Sequence, residues 1–221
     1  MTTVLQFGPV LVHLDRLLWG LMKTLEYAFL SVAFGTMIGI LGAVGRGFGP
    51  RWLSVIIAAY VELIRNTPLL IQLYIVYFSL PLIGMKFTPG TSAVIALSIH
   101  LGAYATEIIR AGVESIPVGQ IEAAKSLGLS PYRIVRHIVL VPAVRAVYPS
   151  LSAQFILQLM GTSIVGAIAA EELTAVANNL VMQTFRSFEV FIVVAVIYFV
   201  VVQAASLLLA GLGRLMFRWK Q

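Results

Sequence analysis

Three apolar stretches of the chain carry polar side chains at helical spacing, and each group could handle a polar solute away from bulk water. Glu62, Arg65, Asn66, Thr67 and Pro68 fall together in one of them. A bilayer tolerates such groups only near an interface, in pairs, or lining an enclosed cavity. Glu62 and Arg65 stand at i, i+3 and so can pair on one helix face, while Pro68 removes a backbone hydrogen bond and favours a local break. In the next stretch His100, Tyr104 and Glu107 share a face, with Arg110 three residues beyond Glu107. A third places Gln154, Gln158 and Thr162 four residues apart with Ser163 beside them, a stripe about 12 Å long at the helical rise. Uncharged donors and acceptors in a line suit a polar solute near mid-membrane. They equally suit hydrogen bonding between helices. Arg65, Asn66, His100, Tyr104, Gln154, Gln158, Thr162 and Ser163 are the candidate pathway residues.

Bond-making chemistry finds no support. The glycines from Gly45 to Gly49 lack the Lys and Ser or Thr that would hold nucleotide phosphates and magnesium. His13, His100 and His137 form no H-E-x-x-H pair, and no G-x-S-x-G elbow occurs. No metal site is expected, and without cysteine there is no disulfide or thiolate. A membrane enzyme would have to rely on an acid–base pair such as Glu107 and His100. No catalytic residue is assigned.

The elements that must position these groups are membrane helices. Apolar residues make up 60% of the chain and charged ones 11%, with a mean hydropathy of +0.97, which lies outside the soluble globular range. Runs at about 18–44, 53–83, 91–113, 138–168 and 187–213 are each long enough to cross a bilayer. Glycines and prolines mark the first three breaks and the polar stretch 171–187 marks the last. The expectation is one all-α membrane domain over 1–221 with five transmembrane helices. Asp15 and Arg16 precede the first run where a cleavable signal would be basic at its start, so the first span is expected to remain.

Loop charge selects an orientation. With the N-terminus outside, Arg46, Arg51, Arg110, Lys125, Arg133, Arg136, Arg145, Arg214, Arg218 and Lys220 face inward, against Arg16, Lys23, Lys86 and Arg186 outside. Lys and Arg favour the cytoplasmic side, so the C-terminus is expected there. The net charge of +6 is explained by this bias without invoking nucleic acid. Gly35 and Gly39 give a small-xxx-small spacing that allows close helix approach. The connector with Glu171, Glu172, Asn178, Asn179 and Gln183 is expected to form an outer helix.

The loop at about 114–137 is helix-friendly and polar, unusual between spans unless a soluble partner docks on it. Pro117 and Pro131 can start helical turns, Glu122 is expected in an early turn where the helix dipole favours an anion, and Gly128 permits a sharp bend. Glu122-Ala123-Ala124-Lys125-Ser126-Leu127-Gly128 resembles the EAA loop of the membrane-spanning permease subunits of ABC importers. Glu62 to Leu73 resembles the E-L-x-R-x-T-P-L-L-x-Q-L signature of the polar amino acid branch. Gly102-Ala103-Tyr104 with Glu107 and Arg110, Thr162-Ser163, and Glu172-Leu173-Thr174 are similar to later patterns of that branch.

The resemblance runs from about Gly20 to the C-terminus. It implies a permease dimer, of like or related chains, in the bacterial inner membrane and in contact with its lipid. A cytoplasmic ABC ATPase dimer would rest on Glu122, Ala123, Ala124 and Gly128, and an external solute-binding protein would deliver an amino acid. ATP and magnesium would belong to the ATPase, with no cofactor in this chain. Two positions depart from the pattern. Pro142 stands one residue late, after Leu140-Val141, which could shift the start of the fourth helix. Met160-Gly161 replaces a commonly charged pair, so a neutral or acidic amino acid is expected over arginine, lysine or histidine. A stand-alone carrier or channel for a small polar solute is the alternative, but it leaves the Glu122 segment without a task.

Overall fold

The computed structural model describes residues 5–217, so Arg218 and Lys220 of the inner charge set lie outside the described residues. A one-turn helix α1 (Gly8–Leu11) precedes α2 (Leu14–Phe48). Next come α3 (Arg51–Arg65) and α4 (Leu69–Tyr74), the latter continuing through a π turn, Ile75–Ser79, and a 3-10 turn, Leu80–Ile83. Helix α5 (Pro89–Glu114) leads to the short α6 (Val118–Ser126) and then to α7, helical without interruption over Pro131–Ile168. Helices α8 (Leu173–Thr184) and α9 (Ser187–Met216) complete the described chain.

Four of these are single helices long and apolar enough to cross a membrane: α2, α5, α7 and α9. The fifth expected span is broken. Its arms, Arg51–Arg65 and Leu69–Ile83, meet at 109°, and fifteen residues at 1.5 Å each make roughly 22 Å, short of the ~30 Å hydrocarbon core. Pro68 lies in the break, with an extended backbone that ends one helix and begins the next.

The fourth span begins at Pro131 instead of 138. Pro131 occupies the first helical position, where its missing N–H costs nothing. Upstream of Pro142 the helix widens into a π segment, Ile134–Leu140, which makes room where the proline ring would crowd a carbonyl one turn back.

Glycines set the closest packing, and they do so within the chain. Gly35 of α2 faces Leu101 of α5, where an added Cβ would sit 2.7 Å from the leucine Cβ; Gly39 meets Ala105 and Gly42 meets Thr106 the same way. One buried apolar cluster, including Tyr27, Leu73, Leu97 and Ile168, joins α2, α4, α5 and the end of α7. A second, including Leu17, Leu173, Leu180 and Val190, joins α2, α8 and α9. Helix α9 buries only Glu189, Val190 and Val194; Phe199, Leu207 and Leu208 remain exposed in the chain taken alone, as suits a surface met by lipid.

Candidate functional site

The break after α3 exposes the last carbonyls of that helix, which have no intrahelical partner. Side chains take them up. Asn66 donates from Nδ2 to the Glu62 carbonyl at 2.9 Å and Thr67 from Oγ1 to that of Leu63 at 2.9 Å. Gln72, one turn into α4, donates from Nε2 to the Ile64 carbonyl at 2.8 Å and to the Thr67 carbonyl at 3.0 Å. Two carbonyl acceptors orient the amide, so Gln72 Oε1 is left to accept, and His100 Nδ1 lies 3.0 Å from it. His100 therefore carries its proton on Nδ1. The imidazole also packs against Tyr104, 5.0 Å between ring centres. The sequence motif contains Gln72 without indicating this role; a lone amide four residues after a proline within an apolar run is the signal that could have found it.

Beside the break lies a cleft of about 350 Å³ lined by Arg46, Glu62, Arg65, Asn66, Tyr104 and Glu107. Glu107 accepts from Arg46 across the α2–α5 contact and from Arg110 Nη2 at 2.9 Å. Arg110 also reaches Glu114 at 2.5 Å, so three successive turns of α5 are tied in one charged ladder. The pairing of Arg46 with Glu107 joins residues 61 positions apart, beyond the reach of any local pattern. Arg65 forms no ion pair with Glu62 among the described residues. Its guanidinium instead lies over the Tyr104 ring, 5.4 Å from the centre, a cation–π contact that holds a charge without neutralising it. Arg65, Asn66 and Tyr104 thus share one cleft, and His100 stands one turn away.

The stripe on α7 divides. Gln158 is 2% exposed and donates to the Leu97 carbonyl at 2.8 Å and to Ser31 at 3.1 Å, which fastens α7 to α5 and α2. Thr162 is buried and returns its hydroxyl proton to the Leu159 carbonyl at 2.7 Å; Ser163 does the same to Met160 at 2.8 Å. A 3-10 segment, Thr162–Ile168, starts there, so the four-residue spacing no longer defines one face. Gln154 remains half-buried on α7.

The connector between α7 and α9 contains the helix α8, and Glu172 caps it. Its carboxylate accepts from the amides of Ala175 at 2.7 Å and Thr174 at 2.8 Å and from Tyr198 at 3.1 Å. The residue has no exposed surface, and burial pushes its carboxyl above the usual glutamate range against the pull of those donors.

In the loop before α7, Pro117 caps α6, and the helix ends in a paired turn. The Leu129 amide reaches the Ala124 carbonyl and the Gly128 amide that of Lys125, with Gly128 at φ +71°, the Schellman arrangement that favours glycine. Glu122 lies beyond the first turn of α6, which carries no acid, so the expected dipole contact is not formed: the helix begins four residues earlier. Ala124 packs inward while Glu122, Ala123 and Gly128 face out. Val118 and Leu127 are 68% and 81% exposed, large apolar side chains that water disfavours.

Residues 35–218 match the family described as binding-protein-dependent transport system inner membrane component. The chain belongs to this family. It is 35% identical over 202 residues to the glutamine transport system permease protein GlnP of Escherichia coli (strain K12), covering 90% of this chain and 92% of that one. To the putative GlnP of Rickettsia bellii (strain RML369-C) it is 34% identical, with 92% of each covered. The nopaline transport system permease protein NocM of Agrobacterium fabrum (strain C58 / ATCC 33970) is 33% identical, with 86% of this chain and 83% of that one matched. A solved amino acid ABC transporter superposes with a TM-score of 0.89 at 34% identity, over 96% of this chain and 99% of that one. An inward-facing MetNI methionine transporter shares the fold, TM-score 0.73 at 22% identity, over 92% and 97%. The chain is a multi-pass membrane permease of the binding-protein-dependent class.

Proposed function

We propose that the chain is the translocation subunit of an ATP-driven importer for polar amino acids, paired with a second permease chain in the bacterial inner membrane. Its N-terminus lies outside and its C-terminus in the cytoplasm. An external solute-binding protein delivers the amino acid, and a cytoplasmic ATPase pair holds the ATP and magnesium. The chain supplies no catalytic group of its own.

The observation that carries the coupling role is α6. This helix is anchored through Ala124 and ended by Gly128, yet it presents Val118, Ala123 and Leu127 outward, an apolar surface suited to a cleft in a partner. Push on α6 passes through Gly128 into α7, which is continuous from Pro131, so movement of the ATPases tilts a span as a body. The solute passes by the cleft of Arg65, Asn66 and Tyr104 and by Gln154. The neutral Met160-Gly161 pair favours a neutral or acidic amino acid over a cationic one.

Capture of the co-expressed ATPase from detergent extracts tests the reading. Wild type binds, and Gly128→Asp and Glu122→Lys fail to bind while their unfolding temperatures stay within a few degrees. Failure of wild type to bind any co-expressed ATPase while still moving solute would establish a stand-alone carrier. Competition for uptake by a panel of amino acids tests the solute class; strong preference for arginine would overturn it.

A further inference from the structure

A groove of about 590 Å³ runs between α7 and α9, away from the solute cleft and from α6. Its floor is Ser152, Ala153 and Ile156 of α7 with Ser206 and Ala210 of α9, small or apolar side chains that leave the space open. The helices close on each other at one end. There a Cβ on Gly213 would lie 2.6 Å from the Tyr148 ring, and the Tyr148 hydroxyl donates to the Leu209 carbonyl at 2.7 Å.

Arg145 and Arg214 line the groove at that same end. Both are exposed, and neither forms an ion pair among the described residues. No acidic side chain lines the groove. Tyr148 and Phe217, edge to face at 5.4 Å, sit beside the arginines as aromatic residues do at a membrane interface. From Arg145 to Ile156 the helical rise covers about 16 Å, half of the ~30 Å hydrocarbon core. The slot therefore reaches from headgroup level to the bilayer centre.

The geometry points to a binding site for one anionic phospholipid, its phosphate between Arg145 and Arg214 and an acyl chain along the groove. The small side chains along its floor leave room for a chain of methylenes between the two helices. Two unneutralised guanidinium groups at the interface select an anionic headgroup over a zwitterionic one.

Native mass spectrometry of the intact transporter, purified with its partner subunits and exposed to equal phosphatidylglycerol and phosphatidylcholine, counts the lipid retained. Wild type keeps phosphatidylglycerol in preference. Each arginine contributes about fivefold, so Arg145→Gln/Arg214→Gln loses about twenty-five-fold in that preference. Ala153→Phe/Ala210→Phe fills the slot and removes the bound lipid of either class. Equal retention of the two lipids by wild type, or an unchanged preference in Arg145→Gln/Arg214→Gln, would overturn the assignment. A photo-crosslinker at Ala153 of the transporter in phosphatidylglycerol vesicles gives an answer even if the glutamine variants do not fold. It labels phospholipid if the site is real, whereas labelling of a second permease chain alone rejects it.

Discussion

Glu172 is a charged-capable residue without exposed surface, and its value to the fold lies in the two amides of α8 that it caps. Glu172→Ala strands them and lowers stability by ~1–2 kcal/mol, read as a lower unfolding temperature in detergent, while exposed Glu171→Ala leaves it unchanged. Because burial raises the Glu172 carboxyl, the folded chain keeps this proton to higher pH than the unfolded chain does. That contribution is complete below the ordinary glutamate value near ~4.3 and is lost as pH rises through the raised value. The margin of wild type over Glu172→Ala is accordingly largest at acid pH and shrinks toward neutrality in a series of thermal melts. Gln72→Leu removes the donor to the Ile64 carbonyl and the partner of His100, at ~1–3 kcal/mol for the unsatisfied carbonyl, with lowered uptake. Residue types and spacing pointed to Arg65 and Asn66 in one stretch and to His100 and Tyr104 in the next as candidate pathway residues, but not to the meeting of Arg65, Asn66 and Tyr104 in one cleft. They did not reveal that Arg65 passes over Glu62 to Tyr104, since that choice depends on how α3 meets α5.

Among the elements, the α2–α5 contact is sensitive to a single methyl group at three successive glycines. Gly39→Ala drives its Cβ into Ala105 and costs ~1–3 kcal/mol. Ala105→Gly in the same chain restores only part of the loss, because it removes the facing Cβ but leaves the carbonyl carbon and Cα of residue 105 at 3.1 and 3.2 Å; melting temperatures of the two single variants and the double variant measure this. Gly128→Ala places a side chain at φ +71° and costs ~1 kcal/mol, whereas Gly128→Asn, which tolerates that conformation, retains ATPase capture. Hydropathy made the spans legible, and Pro68 pointed to the break within the second. The 109° angle was not legible, because it is held by side-chain caps from Gln72, Asn66 and Thr67 and not by the proline alone. Nor could periodicity place the start of α7, since a π segment shifts the register of its neighbours.

At the scale of the whole molecule, orientation is open to a clean experiment because the chain has no cysteine of its own. Gly119→Cys, exposed on α6, reacts with a membrane-impermeant maleimide only after cells are opened, and Met182→Cys, 65% exposed on α8, reacts in intact cells. The reverse pattern would invert the topology inferred from Lys and Arg. The sequence spoke to sidedness through charge but not to which apolar faces meet lipid and which meet protein, since both want the same side chains. The unbroken helix α7 has a mechanical consequence. Gly112 lets α5 press against Val147, a contact that divides α7 into an arm of about 24 Å toward Pro131 and one of about 32 Å toward Ile168. Gln158 ties the longer arm to α5 and α2, so a displacement entering at Pro131 would carry those helices along with α7 instead of turning α7 alone.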